Sequence, residues 1–379
     1  MAVRLLYVVS HPIQYQVPLL RRIAAEPGID LHVLYESSHS MGAFFDEGFK
    51  RQINWDTELE SGYSWSVLEG ARDLRRLMKA ADAVWLHGWD SRVRLDALAC
   101  RRPLGVPILM RGENNETSMP DGCGLRGLFK RLFLQWLFAR CDRFLCIGTD
   151  NRDYYRRRGI AEARLFDMPY AVDNLHFRAL ADEAAAQASI FRRSLDIAEG
   201  RPVVLYAGKL QPRKHPMALL QAFKLLDRAA LGDPVLLFVG DGEERAALEA
   251  EAAPLGEAVR LLGFRNQSEL PAFYDLAEVF VLASSREPWG LAVNEAMNAG
   301  TAVVVSDQCG CAADLVTPQT GKVVPAGDPA ALARSLASLL GDRERCSTMG
   351  QAAKDKVAEW DFEADVMGLK AALASLGLT

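Results

Sequence analysis

The chain has 379 residues, half of them hydrophobic and a quarter charged, with a formal net charge of −5. That length exceeds one typical core and points to two domains, and the acidic balance excludes electrostatic support for a general nucleic-acid role. The charge is uneven: residues 1–178 hold 25 basic and 22 acidic side chains, residues 179–379 hold 19 and 27, and a mild basic excess of 14 over 9 falls in 101–178. Seven scattered cysteines contain no CxxC, and the closest pair, Cys309-Gly310-Cys311, lacks a second pair. This argues against a disulfide framework or a zinc site and leads one to expect a reducing cytoplasm. The N-terminal apolar run is too short for a signal peptide, and no run of 18 apolar residues suggests a membrane span.

In chain order, strand patterns fall at Arg4–Val9, Asp30–Tyr35, Ala83–His87, Pro107–Met110 and Arg143–Ile147, with helical stretches at Val17–Ala25, Leu95–Cys100 and Leu125–Ala139. The last places Leu125, Leu128, Phe129, Leu132, Phe133, Trp136 and Leu137 on one face, widened by Leu134 and Phe138, with Arg126, Lys130 and Arg131 opposite. It reads as a core-facing helix; an anionic membrane surface is the other place such a helix can lie. An Ala-rich charged segment follows and breaks at Pro202. A second series then runs Val203–Ala207, helix Met217–Leu226, Val235–Val239, helix Glu243–Ala253, Val259–Leu262, helix Gln267–Leu276, Val279–Ala283, helix Leu291–Ala299, Ala302–Ser306, Gly321–Val324 and helix Pro329–Leu340. Gly350 to Leu376 is helical with a kink near Trp360. Alternating strands and helices predict an α/β fold of two Rossmann-like domains facing a cleft. The expected divisions are 1–178, a linker at 179–200, a second domain at 201–355, and a helix at 356–379 returning to the first domain.

The densest chemistry lies in Ser285-Arg286-Glu287-Pro288-Trp289-Gly290-Leu291-Ala292-Val293-Asn294-Glu295. Glu287 falls in a strand-to-helix loop and Glu295 about one turn and a half into the helix. Gly290 and Leu291 offer free N–H groups at a helix start, an anion site beside carboxylates that accept from sugar hydroxyls. After Val203–Ala207 comes the basic loop Gly208-Lys209-Leu210-Gln211-Pro212-Arg213-Lys214, whose lysines suit a diphosphate. Gly240-Asp241-Gly242 lacks the third glycine of a dinucleotide fingerprint, and no P-loop occurs. Phe264 and Arg265 can bracket a nucleobase, or Phe264 can be core. In the first half, the loops carrying His11, Gln14 and Tyr15, then His87, then Arg111, Glu113 and Asn115 follow strands and suit a hydroxylated acceptor.

Gly208–Lys214, Val239–Gly242, Leu262–Phe264, Glu287–Glu295 and Pro169–Asp173 together resemble glycosyltransferase family 4, of GT-B architecture. The likeness covers nearly all of the second domain and is looser in the first. It implies that Glu287 contacts the donor sugar and Glu295 the ribose, that Gly290 and Leu291 bind phosphate, and that Lys209 and Lys214 hold the diphosphate. Lys209 stands where the family usually has Arg, and Arg111 where many members have His. The implied reaction is retaining transfer from a nucleotide-sugar, UDP expected first and GDP second, to a sugar, glycolipid or small-molecule acceptor in polysaccharide or glycoconjugate biosynthesis. The transition state is oxocarbenium-like and the diphosphate leaves with growing negative charge. No DxD occurs and no metal is expected, the lysines and helix start serving instead. The expected setting is the cytoplasm, with peripheral contact at the inner membrane surface as a further partner. The alternatives are a hydrolysing nucleotide-sugar 2-epimerase, a natural-product glycosyltransferase and a non-catalytic sugar-binding protein.

Overall fold

A computed structural model describes residues 2–378. Its strands are β1 (Val3–Val9), β2 (Ile29–Tyr35), β3 (Phe44–Asp46), β4 (Arg51–Ile53), β5 (Ser64–Val67), β6 (Ala83–His87), β7 (Ile108–Arg111), β8 (Arg143–Cys146), β9 (Leu165–Asp167), β10 (Val203–Ala207), β11 (Val235–Val239), β12 (Val259–Gly263), β13 (Val279–Leu282), β14 (Ala302–Ser306) and β15 (Gly321–Val324).

The chain divides into two compact units. The first takes the residues up to Phe44, Thr57–Tyr170 and those from Asp361 onward; the second takes Phe45–Asp56 and Ala171–Trp360. The first unit holds a seven-stranded parallel sheet in the order β5-β2-β1-β6-β7-β8-β9. The two faces of β1 feed separate cores, because side chains alternate along a strand. Leu6 and Val8 join Leu86, Met110 and Phe138. Leu5, Tyr7 and Val9 join Trp85, Leu109 and the C-terminal helix Phe362–Ala374, through Val366, Leu369 and Leu373. That helix lies so close to β9 that a Cβ at Gly368 would sit 1.7 Å from the Asp167 carbonyl oxygen.

The second unit holds a six-stranded parallel sheet, β12-β11-β10-β13-β14-β15. Strands β10, β11, β13 and β14 are buried throughout, which is why they read as continuous apolar runs. The Ala-rich segment forms two helices, Asn174–Ala186 and Ala188–Ser194, the second packing Phe191 edge-on against Phe273 at 5.0 Å.

Three features differ from the sequence expectation. Residues 45–56 join the second unit, because their contacts are to its loops. Helices Ala71–Ala80 and Thr149–Arg157 also form, in strongly polar stretches that bury only a few side chains, Leu74 and Met78 in the first and Asn151, Tyr154 and Tyr155 in the second. The helix Gly124–Phe138 does not bury the face expected of it: Leu125 is 73% and Phe129 68% exposed, with Leu128, Leu132, Phe133 and Trp136 also exposed. Of the expected apolar side only Leu134, Leu137 and Phe138 cover the sheet, a narrower stripe of the same helix.

Candidate functional site

In the second unit, the chain leaves β10 through Gly208, passes Lys209, forms a 3-10 turn at Pro212–Lys214 and enters helix Pro216–Lys224 through His215 in left-handed geometry. The loop after β11 abuts it closely. A Cβ at Gly240 would lie 1.8 Å from the Gly208 carbonyl oxygen, and one at Gly242 would lie 2.5 Å from that of Leu210. These glycines serve the close approach of two loops.

After β13 the chain turns through Ser284 to Glu287 and starts helix Leu291–Asn298 at Gly290, whose φ of 106° suits glycine. No side chain caps this helix start. Glu287 is 8% exposed, accepts from the Lys214 ammonium and from Ser284 Oγ at 3.3 Å, and bridges to Cys309 through its backbone. A carboxylate and an ammonium from loops 73 residues apart therefore meet at the C-terminal edge of one sheet. Glu295, 9% exposed, accepts from Tyr274 Oη at 2.7 Å. Burial pushes its carboxyl up to about 7, against the pull of the tyrosine hydroxyl. Lys209 Nζ lies 3.0 Å from Asp46 and over the Phe49 ring at 4.9 Å. Cys309 and Cys311 are buried thiols whose pKa values burial raises, and all seven cysteines are free. Among the described residues no group of three or more His, Cys, Asp or Glu could hold a metal ion.

Other residues expected on the donor side have partners within the protein. Trp289 is in the core: its Nε1 donates to Asn294 Oδ1 at 2.9 Å and its ring stacks with Trp360 at 6.2 Å. It shapes the loop from behind, beside the half-buried Pro288 and Leu291. The Phe264 ring faces Phe49 and Trp55 at 4.9 and 5.9 Å. Arg265 reaches Glu269 at 3.6 Å. Asp46, Ser284 and Tyr274 carried no signal of their own. Tyr274 lies on the apolar face of helix Leu270–Leu276, where an aromatic suggests core.

The first unit contains a cavity of about 320 Å³ lined by Ser10, Tyr15, His87, Asp90, Glu113 and Asn114 among others. Asn151 holds the 112–114 loop at its rim by donating to the carbonyls of Gly112 and Asn114 at 2.9 and 2.6 Å. Glu113 accepts from Tyr170 and lies 3.4 Å from His87 Nε2, which in turn is 3.2 Å from Gln16 Nε2. Burial raises the Glu113 carboxyl, but His87, Tyr170 and Arg111 outweigh it and hold it below the usual carboxylate range. His87 and Tyr15 thus come together with Glu113, while the half-buried Gln14 and His11 are not among the cavity's lining, His11 meeting His39 edge-on at 5.9 Å. Asn115 accepts from Ser118 N at 2.7 Å and so braces its own turn. Arg111 also departs from the acceptor-side expectation: it is buried, donating to Asp365 at 2.9 Å and to the carbonyls of Met168 and Pro169. The reason is that β7 runs beneath the C-terminal helix, which supplies the counter-charge.

Residues 187–356 match the family described as Glycosyl transferases group 1. A D-inositol 3-phosphate glycosyltransferase of Salinispora arenicola is 29% identical over 242 residues, 61% of this chain and 54% of the relative. One of Nocardia farcinica is 30% identical over 297 residues, 75% of this chain and 63% of the relative. The chain spans about half the length of the first of these curated relatives. The crystal structure of Anabaena HepE in complex with UDP and glucose superposes with a TM-score of 0.73 at 14% identity, covering 98% of this chain and 99% of the other, a likeness of fold. Sequence over residues 187–356 is thus similar to the group 1 glycosyl transferases, and the chain shares its fold with a solved structure that holds UDP and glucose.

Proposed function

We propose that this protein is a retaining glycosyltransferase that moves a sugar from a nucleoside-diphosphate sugar to an acceptor hydroxyl in cytoplasmic glycoconjugate biosynthesis. The observation that carries the reading is the Lys214–Glu287 pair set beside the uncapped helix start at Gly290. The helix N–H groups of Gly290 and Leu291, with Lys209 and Lys214, take the diphosphate, and Glu287 accepts from donor-sugar hydroxyls. As the bond from the anomeric carbon to the phosphate oxygen breaks, the acceptor oxygen bonds on the same face. Its proton passes to the departing phosphate oxygen. The lysines and helix dipole meet charge that grows in that transition state, so they favour it over the ground state. The first unit's cavity, lined by Tyr15, His87 and Glu113, suits the hydroxyl groups of an acceptor.

A thermal-shift screen against UDP, GDP, ADP, CMP and dTDP, each with and without Mg²⁺, tests the donor half. UDP or GDP at a hundred times its dissociation constant stabilises by about 2.7 kcal/mol; the expected shift is independent of Mg²⁺, and no shift with any nucleotide sinks the donor assignment. The same titration depends on pH. Ribose hydroxyls donate best to an ionised Glu295, whose carboxyl burial sets at about 7. Nucleotide affinity should therefore rise with pH and level off above 7, losing roughly tenfold per unit below it. Glu295→Gln should flatten the profile; an equally steep profile in that variant removes Glu295 from the site. The assembled Glu113–His87 pair favours one second reading, the 2-epimerase, since it places an acid beside an imidazole. Altered sugar stereochemistry in reactions lacking acceptor would select it.

The exposed face of helix Gly124–Phe138 supports peripheral contact with an anionic membrane surface, on the inner side if the protein is cytoplasmic. Leu125, Leu128, Phe129, Leu132, Phe133 and Trp136 are exposed together. Residues 122–141 include Arg126, Lys130, Arg131 and Arg140 and no acid. Each such cation adds about 1 kcal/mol at an anionic surface. Among the described residues no helix is long and apolar enough to cross a membrane. Sedimentation with phosphatidylglycerol vesicles should carry the protein down, phosphatidylcholine vesicles should not, and the double variant Leu128→Glu, Phe129→Glu should stay in solution. Equal recovery of all three in the supernatant overturns the membrane contact.

A further inference from the structure

Residues 45–56 precede the donor-site loops by more than 150 positions, yet they belong to the second unit. They carry the short β3–β4 ribbon and touch the loops after three strands of the second sheet. Both Asp46 carboxylate oxygens lie 3.0 Å from Lys209 Nζ. Asp46 Oδ1 also accepts from the N–H groups of Gly48 and Phe49, at 2.8 and 2.9 Å, which aims the carboxylate. Burial alone would raise its pKa, but the Phe49 N–H and Lys209 hold it below the usual range, so it is a carboxylate at neutral pH. The ribbon fits the lysine tightly: a Cβ at Gly48 would come within 2.6 Å of Lys209 Cδ. Arg51 lies 3.7 Å from Asp241 and its guanidinium 5.4 Å from the Phe264 ring centre. Phe49 and Trp55 cover the same ring. Further along, Asn266 Nδ2 donates to the Asn54 carbonyl at 3.1 Å and Ser268 N to Asp56 at 3.1 Å.

One segment therefore occupies both ends of the nucleotide site, the diphosphate lysine and the aromatic offered to the base. Both Asp46 oxygens face the Lys209 ammonium, so a diphosphate that comes to this lysine meets their negative charge, and the diphosphate carries more. We propose that the 45–56 ribbon is a gate over the donor site, in which Asp46 holds Lys209 in place of the donor diphosphate until donor binding expels it. The gate rests on the assignment of Lys209 and Phe264 to the donor. Gly42 and Gly62, both at positive φ, flank the segment and give it backbone freedom to swing.

The gate predicts that removing a carboxylate tightens binding, the reverse of ordinary site mutagenesis. Asp46→Asn keeps an acceptor oxygen for the turn and removes only the charge. By calorimetry it should bind the nucleoside diphosphate that shifts the wild type most, about fivefold more tightly. That gain is the discounted worth of a partly exposed ion pair, added to the fraction of open protein. Glu47→Gln removes the same charge one residue away, at a side chain 79% exposed and paired with Lys50, and should change nothing. Hydrogen exchange of the 45–56 amides should quicken on nucleotide binding. Affinity unchanged or weakened in Asp46→Asn, an equal gain in Glu47→Gln, or slowed exchange overturns the gate while leaving the donor site standing. Failure of wild type and both variants to bind any nucleotide or inorganic pyrophosphate removes the donor assignment and the gate with it.

Discussion

Replacing Lys214 by alanine is expected to lower the rate constant for sugar transfer by about 10²- to 10³-fold, the usual loss when one preorganised group that meets transition-state charge is removed. The expectation rests on its position. Lys214 is largely buried, is fixed on a 3-10 turn, and holds the Glu287 carboxylate. A group so placed needs no reorganisation when the diphosphate begins to leave. The loss should fall on kcat more than on KM, because charge on the leaving oxygen peaks after binding. Lys214→Arg should recover part of the rate, since it keeps the charge but not the compact geometry. Turnover near wild type in a folded Lys214→Ala protein would reduce the pair to a structural contact and remove the central support for the proposed reaction. A rise in KM alone would make Lys214 a binding residue only.

The largest effect on stability is expected at Asp365, in the C-terminal helix of the first unit. It is fully buried against Arg111, itself 2% exposed, at 2.9 Å. Burial pushes the Asp365 carboxyl up to about 7, against the pull of Arg111, which shows how strongly this site resists charge. Asp365→Ala removes the carboxylate from the buried guanidinium and leaves it the Met168 and Pro169 carbonyls and the faces of the Trp85 and Tyr170 rings. Breaking a buried pair from one side costs about 3–5 kcal/mol. At roughly 2–4 °C per kcal/mol for a unit of this size, the first unit's melting temperature should fall by about 6–20 °C. Exchanging both partners for apolar residues of similar volume should be far milder, because no charge is then left alone. A melting temperature within about a degree of wild type in Asp365→Ala would show that the carbonyls suffice and that the C-terminal helix is held by Val366, Leu369 and Leu373 alone.

Much of this protein was legible from residue order. The buried strands of the second unit are short apolar runs between turn residues, and local sequence states such patterns directly. The Glu287–Glu295 spacing and the helix start at Gly290 depend on neighbours in the chain, so a one-dimensional reading reaches them. What depends on partners distant in sequence needed the folded chain. Trp289 stands in the middle of the Glu287–Glu295 segment, yet its Asn294 and Trp360 partners place it in the core. Arg111 looked like an acceptor contact until the C-terminal helix laid Asp365 on it. The wide apolar face of helix Gly124–Phe138 has the same composition whether it meets a core or solvent. The sheet below needs only the stripe of Leu134, Leu137 and Phe138, so the rest remains outside. Asp46 meets Lys209 across 163 residues with no spacing to announce it. Hydrophobic period and turn chemistry are local and survive in sequence. The pairing of charges and the choice of which apolar face is covered are properties of the packed chain, and only the tertiary structure decides them.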